Sequence, residues 1–420
     1  MDPHTLELLE FGKLREQVAA RCGSAPGKRL AAAIAPMSDL ETIREALALT
    51  TEVVEATEAR LVPSLGGLRD VEPHVKRAGL GVLLEIEPLQ DLREAFELSG
   101  RAADHALRVG SDYPRLKALL ERARDHRALA RAIDAVIDDR GRVKDHASPE
   151  LSRIRAELAG FEERIQAELR RLLRSEEIRK ALRYPQPTMS GDHHVLPVAV
   201  NHRHKVIGVV HRTSSTGETV YVEPARVAEI SAETSVLRSA ERREIRRLLR
   251  LLSDQIRKEA PAILGTLAAL AELDFVSAKA GYSRDFGMTE PEATPAADGR
   301  IHLPNARHPL LAELFRTQGG ADDSARDVVP VTVRLGSEFD LLVITGPNTG
   351  GKTVALKTVG LCCLMALSGM HVPAARGATV PLLADVLADI GDEQSLEQSL
   401  STFSAHISRI AAILHRCGPE

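Results

Sequence analysis

A glycine-rich loop late in the sequence carries the strongest chemical signal. Residues 346–353 read GPNTGGKT and match the phosphate-binding pattern G-x-x-x-x-G-K-[ST]. Glycines allow the backbone N–H groups to face a phosphate, and the following helix N-terminus favours negative charge. We expect Lys352 to reach the β- and γ-phosphates and Thr353 to coordinate Mg²⁺. The predicted nucleotide-binding residues are Gly346, Pro347, Asn348, Thr349, Gly350, Gly351, Lys352 and Thr353.

The elements around this loop have the order that the motif requires. An apolar run at 340–345 predicts a strand before the loop, and an apolar run at 354–368 predicts a helix after it. A P-loop NTPase also needs a second strand that ends in Asp, often followed by Glu. The run at 386–390 predicts a further strand, and its part up to Asp389 is the nearest match, but it lacks the second acid. We therefore expect half of a nucleotide site and negligible ATP hydrolysis. A last helix is predicted from about 399 to 416.

Two long helical patterns lie between residues 148 and 260. Ser148 and Pro149 form a helix start, and apolar residues then recur at steps of three or four. A second helical pattern covers about 226–260. Between them, β-branched runs at 194–200, 205–210 and 219–223 predict strands, with a turn at 213–217. This order predicts an antiparallel helical arm about 45 Å long that ends in a small β tip.

The arm has a basic surface. Its second helix contains Arg242, Arg243, Arg246 and Arg247, and the tip adds Arg203, Lys205 and Arg212. Contact with nucleic-acid phosphates and a solvated charged face both fit this pattern. The tip histidines (His193, His194, His202, His204 and His211) have a spacing that matches no standard metal site, so the sequence does not predict one.

Composition narrows the function classes. The chain has 420 residues, 44% of them hydrophobic, so it can bury sizeable cores. Its net charge of -4 confines a nucleic-acid surface to a local patch, and 3% aromatic residues without Trp argue against a base-stacking platform. The four Cys form no C-x-x-C pair, which disfavours a disulfide framework or zinc finger. With no targeting pattern at Met1 and no sufficiently long apolar run, we expect a soluble cytoplasmic protein without a membrane partner.

Several motifs together resemble the MutS superfamily. The loop at 346–353, the segment GMHVPA at 369–374, the sequence STF at 401–403 and RHPLL at 307–311 are similar to successive motifs of its ATPase domain. The sequence segments at 389–395 (DIGDEQS) and 217–224 (GETVYVEP) are similar to the corresponding segments of the bacterial MutS-II family. The resemblance covers essentially the whole chain. Repair MutS proteins begin with a mismatch-reading domain that carries Phe-x-Glu, whereas the F-x-E of this sequence, FEE at 161–163, lies inside the first helical pattern of the arm, so we do not expect mismatch recognition.

The resemblance implies a mainly α fold with four regions. These are a helical core or lever at 1–147, a coiled-coil clamp arm at 148–260 with its β tip at about 190–225, a return helix and linker at 261–300, and the N-terminal part of an α/β, ABC-type P-loop ATPase domain at 301–420. The family's second acidic strand and Smr nuclease domain are expected beyond residue 420. The sequence therefore resembles an N-terminal portion, and no nuclease residue is predicted within it.

The same resemblance implies ATP and Mg²⁺ as cofactors and a homodimer with shared ATP sites. Ser401 matches the family's signature serine, which reaches the partner's nucleotide; from the sequence alone, Ser401 could equally cap the last helix. The implied function is an ATP-dependent clamp on branched DNA that suppresses recombination, with endonuclease activity in the intact family. The alternatives are a ribosome-associated factor that uses ATP to split stalled ribosomes, with rRNA as its partner, and an inactive scaffold.

Overall fold

The computed structural model describes residues 1–318, 327–347, 350–390 and 399–416. The fold is mainly helical, as predicted, with two small sheets. The α-helices within these residues are α1 (Pro3–Leu8), α2 (Phe11–Arg21), α3 (Ala25–Ala32), α4 (Leu40–Glu58), α5 (Glu72–Gly79), α6 (Ile86–Val109), α7 (Pro114–Arg122), α8 (Arg127–Val136), α9 (Pro149–Arg174), α10 (Glu176–Ala181), α11 (Ala225–Asp285), α12 (Pro309–Gln318), α13 (Lys352–Leu367) and α14 (Ser399–Arg416).

The strands belong to two four-stranded sheets. They are β1 (Thr188–Ser190), β2 (His193–Ala199), β3 (Gly208–Thr213), β4 (Thr219–Pro224), β5 (Glu292–Thr294), β6 (Ile301–Ala306), β7 (Val331–Leu335) and β8 (Thr379–Pro381). The first sheet is antiparallel, in the order β1-β2-β4-β3. The second has the order β5-β8-β6-β7 and is mixed, because β5 and β8 are parallel.

The chain divides into two compact units. The first contains residues 1–73, 94–127 and 261–420, and the second contains 74–93 and 128–260. Helix α11 is 61 residues long and runs through Pro261, which lacks an N–H donor, from the second unit into the first. By length and composition α11 is apolar enough to cross a membrane, and half of its most apolar stretch is buried inside the protein; the core helix of a soluble protein passes the same test. The four predicted regions remain predictions.

In the second unit, α9 and α11 run antiparallel. Ser148 caps α9 as predicted, accepting a hydrogen bond from the Leu151 N–H at 3.1 Å. The contacts between the helices follow this antiparallel order: residues later in α9 contact residues earlier in α11. They join Ser148 to Glu244 at 2.6 Å, Arg155 to Glu241 at 2.7 Å and Arg164 to Glu233 at 4.0 Å.

The first sheet packs at the end of this helix pair. Ile165 and Leu169 of α9 share one buried core with strand residues and with Val227 of α11. The strand predicted at 205–210 begins later, at Gly208, because 200–205 form a 3₁₀ helix. Gly208 is required there, since a Cβ would lie 1.9 Å from the Glu223 carbonyl oxygen.

In the first unit, a buried carboxylate fixes the start of α3. Asp274 on α11, 6% exposed, accepts hydrogen bonds from the N–H groups of Gly23 and Ser24 at 3.0 and 2.9 Å and from the Ser24 hydroxyl at 2.5 Å. Gly27 leaves room for it, because a Cβ would lie 2.2 Å from Asp274 Oδ2. The carboxylate satisfies amides that the helix itself cannot.

We predict that Asp274→Ala destabilises the first unit by about 2–4 kcal/mol, because it leaves buried N–H donors without acceptors. Urea denaturation measures the loss, and hydrogen exchange at the Gly23 and Ser24 amides should accelerate. The matched control is Asp254→Ala on the same helix, where the carboxylate makes no hydrogen bond or ion pair with any described residue. Equal midpoints for the two variants would contradict this role of Asp274.

Candidate nucleotide site and basic helix surface

The phosphate-loop motif leads directly into α13, as predicted. Gly346 and Gly351 have φ values of +148° and +78°, which favour glycine. The Gly350 N–H donates to the Pro347 carbonyl at 2.9 Å, and a Cβ on Gly350 would lie 3.0 Å from that oxygen. Glycine at these positions therefore allows the backbone conformation of the loop. Asn348 and Thr349, two predicted binding residues, lie outside the described residues.

The N-terminus of α13 is open to an anion. Lys352 and Thr353 are its first two residues, and no described side chain caps the helix at Gly351. Thr353 is exposed, and the Lys352 ammonium donates to the Gly346 carbonyl at 2.5 Å. The ammonium is thus held over the loop, beside the uncapped first-turn N–H groups. Free amides, a lysine and a hydroxyl at one helix end suit a phosphate with its Mg²⁺.

The strand predicted at 340–345 does not form. Residues 341–347 have no regular secondary structure, and the side chains of Leu341 and Val343 are 79% and 72% exposed. A strand is stable only beside a hydrogen-bonding neighbour, and no described strand pairs with this segment. The strand prediction at 386–390 is also wrong; β8 ends at Pro381, and the N–H of Ala388 donates to the Thr5 hydroxyl instead.

A buried polar cluster holds the other end of α13. Residues 361–367 are buried, and the helix ends at Leu367 with Ser368 as its C-cap, followed by Gly369, where φ is +66°. The Gly369 carbonyl accepts from the Lys279 ammonium at 3.0 Å and from the Thr50 hydroxyl at 3.1 Å. A cation at a helix C-terminus is favourable. Burial lowers the pKa of Lys279 to about 8, so Lys279 keeps its charge at neutral pH.

A buried histidine lies in the same cluster. His371 is 5% exposed, and its two ring nitrogens lie 2.9 Å from the Thr51 hydroxyl and 2.8 Å from the Ser283 hydroxyl. Burial and the Lys279 charge lower the pKa of His371 to about 4. His308 is equally buried, and burial lowers its pKa to about 4 as well. Sequence reasoning missed the role of these groups, because burial and pairing over such separations leave no local pattern.

The predicted basic residues of α11 are exposed but differ in their partners. Arg247 forms an ion pair with Glu244 at 2.7 Å, and Arg242 donates to the Ser239 hydroxyl at 3.1 Å. Arg243 and Arg246 make no hydrogen bond or ion pair with any residue in the described part of the chain. These four side chains form one exposed surface of α11, which we call the arginine surface.

The predicted tip cations mainly serve the tip itself. Arg203 donates to the carbonyls of Val206 and Gly208 at 2.6 and 2.9 Å. Arg212 lies 4.0 Å from the Tyr221 ring centroid, and Lys205 lies 3.9 Å from Glu177. Of Ser401 the structure describes only the backbone, within α14, so its predicted role lies outside the described contacts.

Comparison with known proteins agrees with this architecture. The model of MutS domain V matches residues 342–420, the region of the loop and α13. A phosphate loop in this context, after a long helix pair with a β tip, defines a protein of the MutS superfamily.

The whole chain is similar to proteins named Endonuclease MutS2. It is 39% identical to the protein of Pelotomaculum thermopropionicum over 420 residues, covering 100% of this chain and 52% of the relative. Identity to the Symbiobacterium thermophilum protein is 39%, covering 99% and 50%, and identity to the "Putative endonuclease MutS2" of Bacillus subtilis is 36%, covering 99% and 52%. The chain belongs to the MutS2 family and spans about half the length of these relatives.

The buried histidines predict an acid-sensitive fold. The pKa values of His308 and His371 are about 4 in the folded state, against an ordinary value of 6.5, so the unfolded chain binds more protons between these values. Stability should therefore fall as pH drops below about 6.5 and keep falling to about 4, by up to ~1.4 kcal/mol per pH unit for each histidine.

Urea midpoints at pH 7.5, 6.0 and 5.0 measure this effect. His371→Gln, which keeps both hydrogen-bonding neighbours within reach of a neutral side chain, should flatten the dependence. His415→Gln, at an exposed position of α14, is the control and should leave it unchanged. A His371→Gln profile parallel to that of the parent would contradict the assignment.

Proposed function

We propose that this chain is an ATP-binding and DNA-binding part of a MutS2 protein. The observation that carries the proposal is the uncapped N-terminus of α13, with Lys352 and Thr353 as its first residues and two positive-φ glycines before it. Lys352 would bind the β- and γ-phosphates, and Thr353 would coordinate the Mg²⁺ that accompanies the nucleotide. These residues fit the nucleotide, because Thr353 is exposed and no described side chain caps the helix amides at Gly351.

The site is anchored for this task. The buried half of α13 and the contacts of Gly369 with Lys279 and Thr50 fix the helix from behind. A bound phosphate would therefore meet amides that are already oriented, which lowers the entropic cost of binding. Lys352 would exchange one acceptor, the Gly346 carbonyl, for the more strongly accepting phosphate oxygens.

Lys352→Ala should weaken ATP binding about 10- to 100-fold, as expected for the loss of a charge-assisted contact. A fluorescent ATP analogue with Mg²⁺ measures the affinity of the full chain. The control is Lys357→Ala, which removes an ammonium from the same helix where it contacts Glu10 at 3.5 Å instead of the loop.

Equal affinity of parent and Lys352→Ala would reject the loop as the nucleotide site. Phosphate release, measured in parallel, tests the separate expectation of negligible hydrolysis. A turnover of ordinary ATPase size that disappears in Lys352→Ala would overturn that expectation while supporting the site.

For nucleic acid, we propose that the arginine surface contacts phosphates. Arg243 and Arg246 lack protein acceptors in the described part of the chain, whereas Arg247 shares its charge with Glu244. An unpaired guanidinium can release counterions on binding, but a paired one must first lose its partner. Such contacts recognise the backbone and not the base sequence.

Replacing Arg242, Arg243, Arg246 and Arg247 with Ala should weaken binding to all sequences alike. Each lost phosphate contact should flatten the slope of log K against log salt by about 0.9 on duplex DNA. Because of the partner difference, Arg243→Ala/Arg246→Ala should account for most of the change. Fluorescence anisotropy over a salt series measures both.

The matched control is Arg153→Ala on α9, an exposed arginine that already pairs with Glu150 at 2.7 Å and with Glu157 at 2.5 Å. It should leave the slope unchanged. If the quadruple variant bound like the parent at every salt concentration, the arginines would only solvate the arm.

We further propose branched DNA as the partner, restraint of recombination as the role, a homodimer as the assembly and the cytoplasm as the location. Support comes from the family and from a helix pair with a sheet at its end, a shape suited to a DNA clamp. No described group is assigned to phosphodiester cleavage, so the endonuclease in the relatives' name is not part of this proposal. Competition between branched DNA and purified ribosomes tests the partner; preference for ribosomes would favour the rRNA alternative.

A further inference from the structure

Three polar side chains of the first sheet converge on one point. His193 lies at the start of β2, His211 lies in β3, and Glu223 lies in β4, which separates these two strands. One oxygen of Glu223, Oε2, lies 3.0 Å from Nδ1 of His193 and 2.7 Å from Nε2 of His211. The three ligand atoms lie within 4.8 Å of one another. We call these residues the tip cluster.

A bulge in β3 creates this convergence. Val210 pairs with Val222 and Arg212 with Tyr221, so His211 is the extra residue between two regular pairs. A bulge leaves one residue unpaired in the strand ladder and changes the direction of its side chain. Here it brings His211 to the same carboxylate as His193, and the two rings stack with centroids 4.2 Å apart.

The carboxylate is held in place before any ion binds. Glu223 is 2% exposed, and its other oxygen, Oε1, accepts from the Ser231 hydroxyl of α11 at 2.6 Å. Burial alone would raise the pKa of Glu223, but the Ser231 hydrogen bond and the imidazoles of His211 and His193 outweigh it and lower the pKa. The carboxylate is therefore charged at neutral pH, and Ser231 orients it as outer partners orient metal ligands.

One nitrogen of the tip cluster lacks a hydrogen bond. Nδ1 of His193 is sealed from solvent and has no hydrogen bond of acceptable geometry with any described residue, although Glu223 Oε2 lies 3.0 Å away. A buried imidazole nitrogen that faces a carboxylate in this way has the placement of a metal ligand. The His193 side chain itself is 44% exposed, so one side of the cluster is open to water.

We propose that His193, His211 and Glu223 bind a divalent transition-metal ion of the Zn²⁺ class. Two imidazoles and one carboxylate suit Zn²⁺, with water as the fourth ligand. Donors about 2.0–2.2 Å from one ion are separated by about 3.3 Å in a tetrahedron. The two nitrogens lie 3.0 and 2.7 Å from Glu223 Oε2, so both imidazoles would move slightly away from that oxygen to admit the ion. The ion would join β2, β4 and β3 and fix the bulge at His211.

Metal binding to the full chain tests the proposal. After removal of metals by chelation, titration with Co²⁺ should give about one bound equivalent with the intense visible absorption of a tetrahedral ion, and Zn²⁺ should displace it. His211→Gln and His193→Gln should each weaken binding at least tenfold. Ser231→Ala, which frees the carboxylate without removing a ligand, should weaken it about 10- to 100-fold.

The matched control is His204→Gln, an exposed tip histidine outside the cluster, which should bind as the parent does. Zn²⁺ should also raise the melting temperature of the parent and of His204→Gln, but not that of His211→Gln. Circular dichroism before metal addition shows that the variants are folded. No tetrahedral Co²⁺ spectrum in the parent, or equal binding by His211→Gln and the parent, would mean that the cluster is only a hydrogen-bonded triad and would overturn the proposal.

Discussion

The carbonyl of Gly369 is the point on which the candidate nucleotide site depends. It closes the C-terminal end of α13 and accepts from both Lys279 and Thr50, which belong to α11 and α4. A Cβ on Gly369 would lie 2.4 Å from Cβ of Ala46, so the helices approach closely only because this residue is glycine. A buried ammonium is costly unless it is bound, and here the helix dipole and the carbonyl compensate. Because the C-terminal end of α13 is held in this way, the N-terminal end that carries Lys352 and Thr353 is held in position as well.

Helix α11 connects the structural and the functional parts of the chain. Within the first unit it provides Asp274 to the start of α3 and Lys279 to the end of α13. Within the second unit it carries the arginine surface, and Ser231 holds Glu223 of the tip cluster. All these groups lie on one continuous helix of 61 residues.

The sequence predicted those features that local rules determine. The loop motif and the Ser148 cap depend on residues a few positions apart, and the apolar seam buried Leu151, Ile154, Ile165 and Leu169. Features that depend on distant partners were missed. The run at 340–345 has the composition of a strand, but a strand also requires a paired neighbour. The spacing of the tip histidines matched no metal motif, because the bulge and not the spacing brings His211 to Glu223.

The exposed arginines of α9 and α11 in the second unit differ in whether they have an ion-pair partner. On α9, some arginines pair with glutamates of their own helix, as in Arg153 with Glu150 and Arg171 with Glu168. Such exposed pairs are screened by water and salt, so they do little for stability. Arg170 and Arg174, also on α9, are exposed and make no hydrogen bond or ion pair with any described residue. On α11, Arg243 and Arg246 have no such partner among the described residues, and desolvating them against a phosphate breaks no existing pair. In a chain with a net charge of -4, the four adjacent arginines of the arginine surface are a local concentration of positive charge, and we propose the nucleic-acid contacts there for that reason.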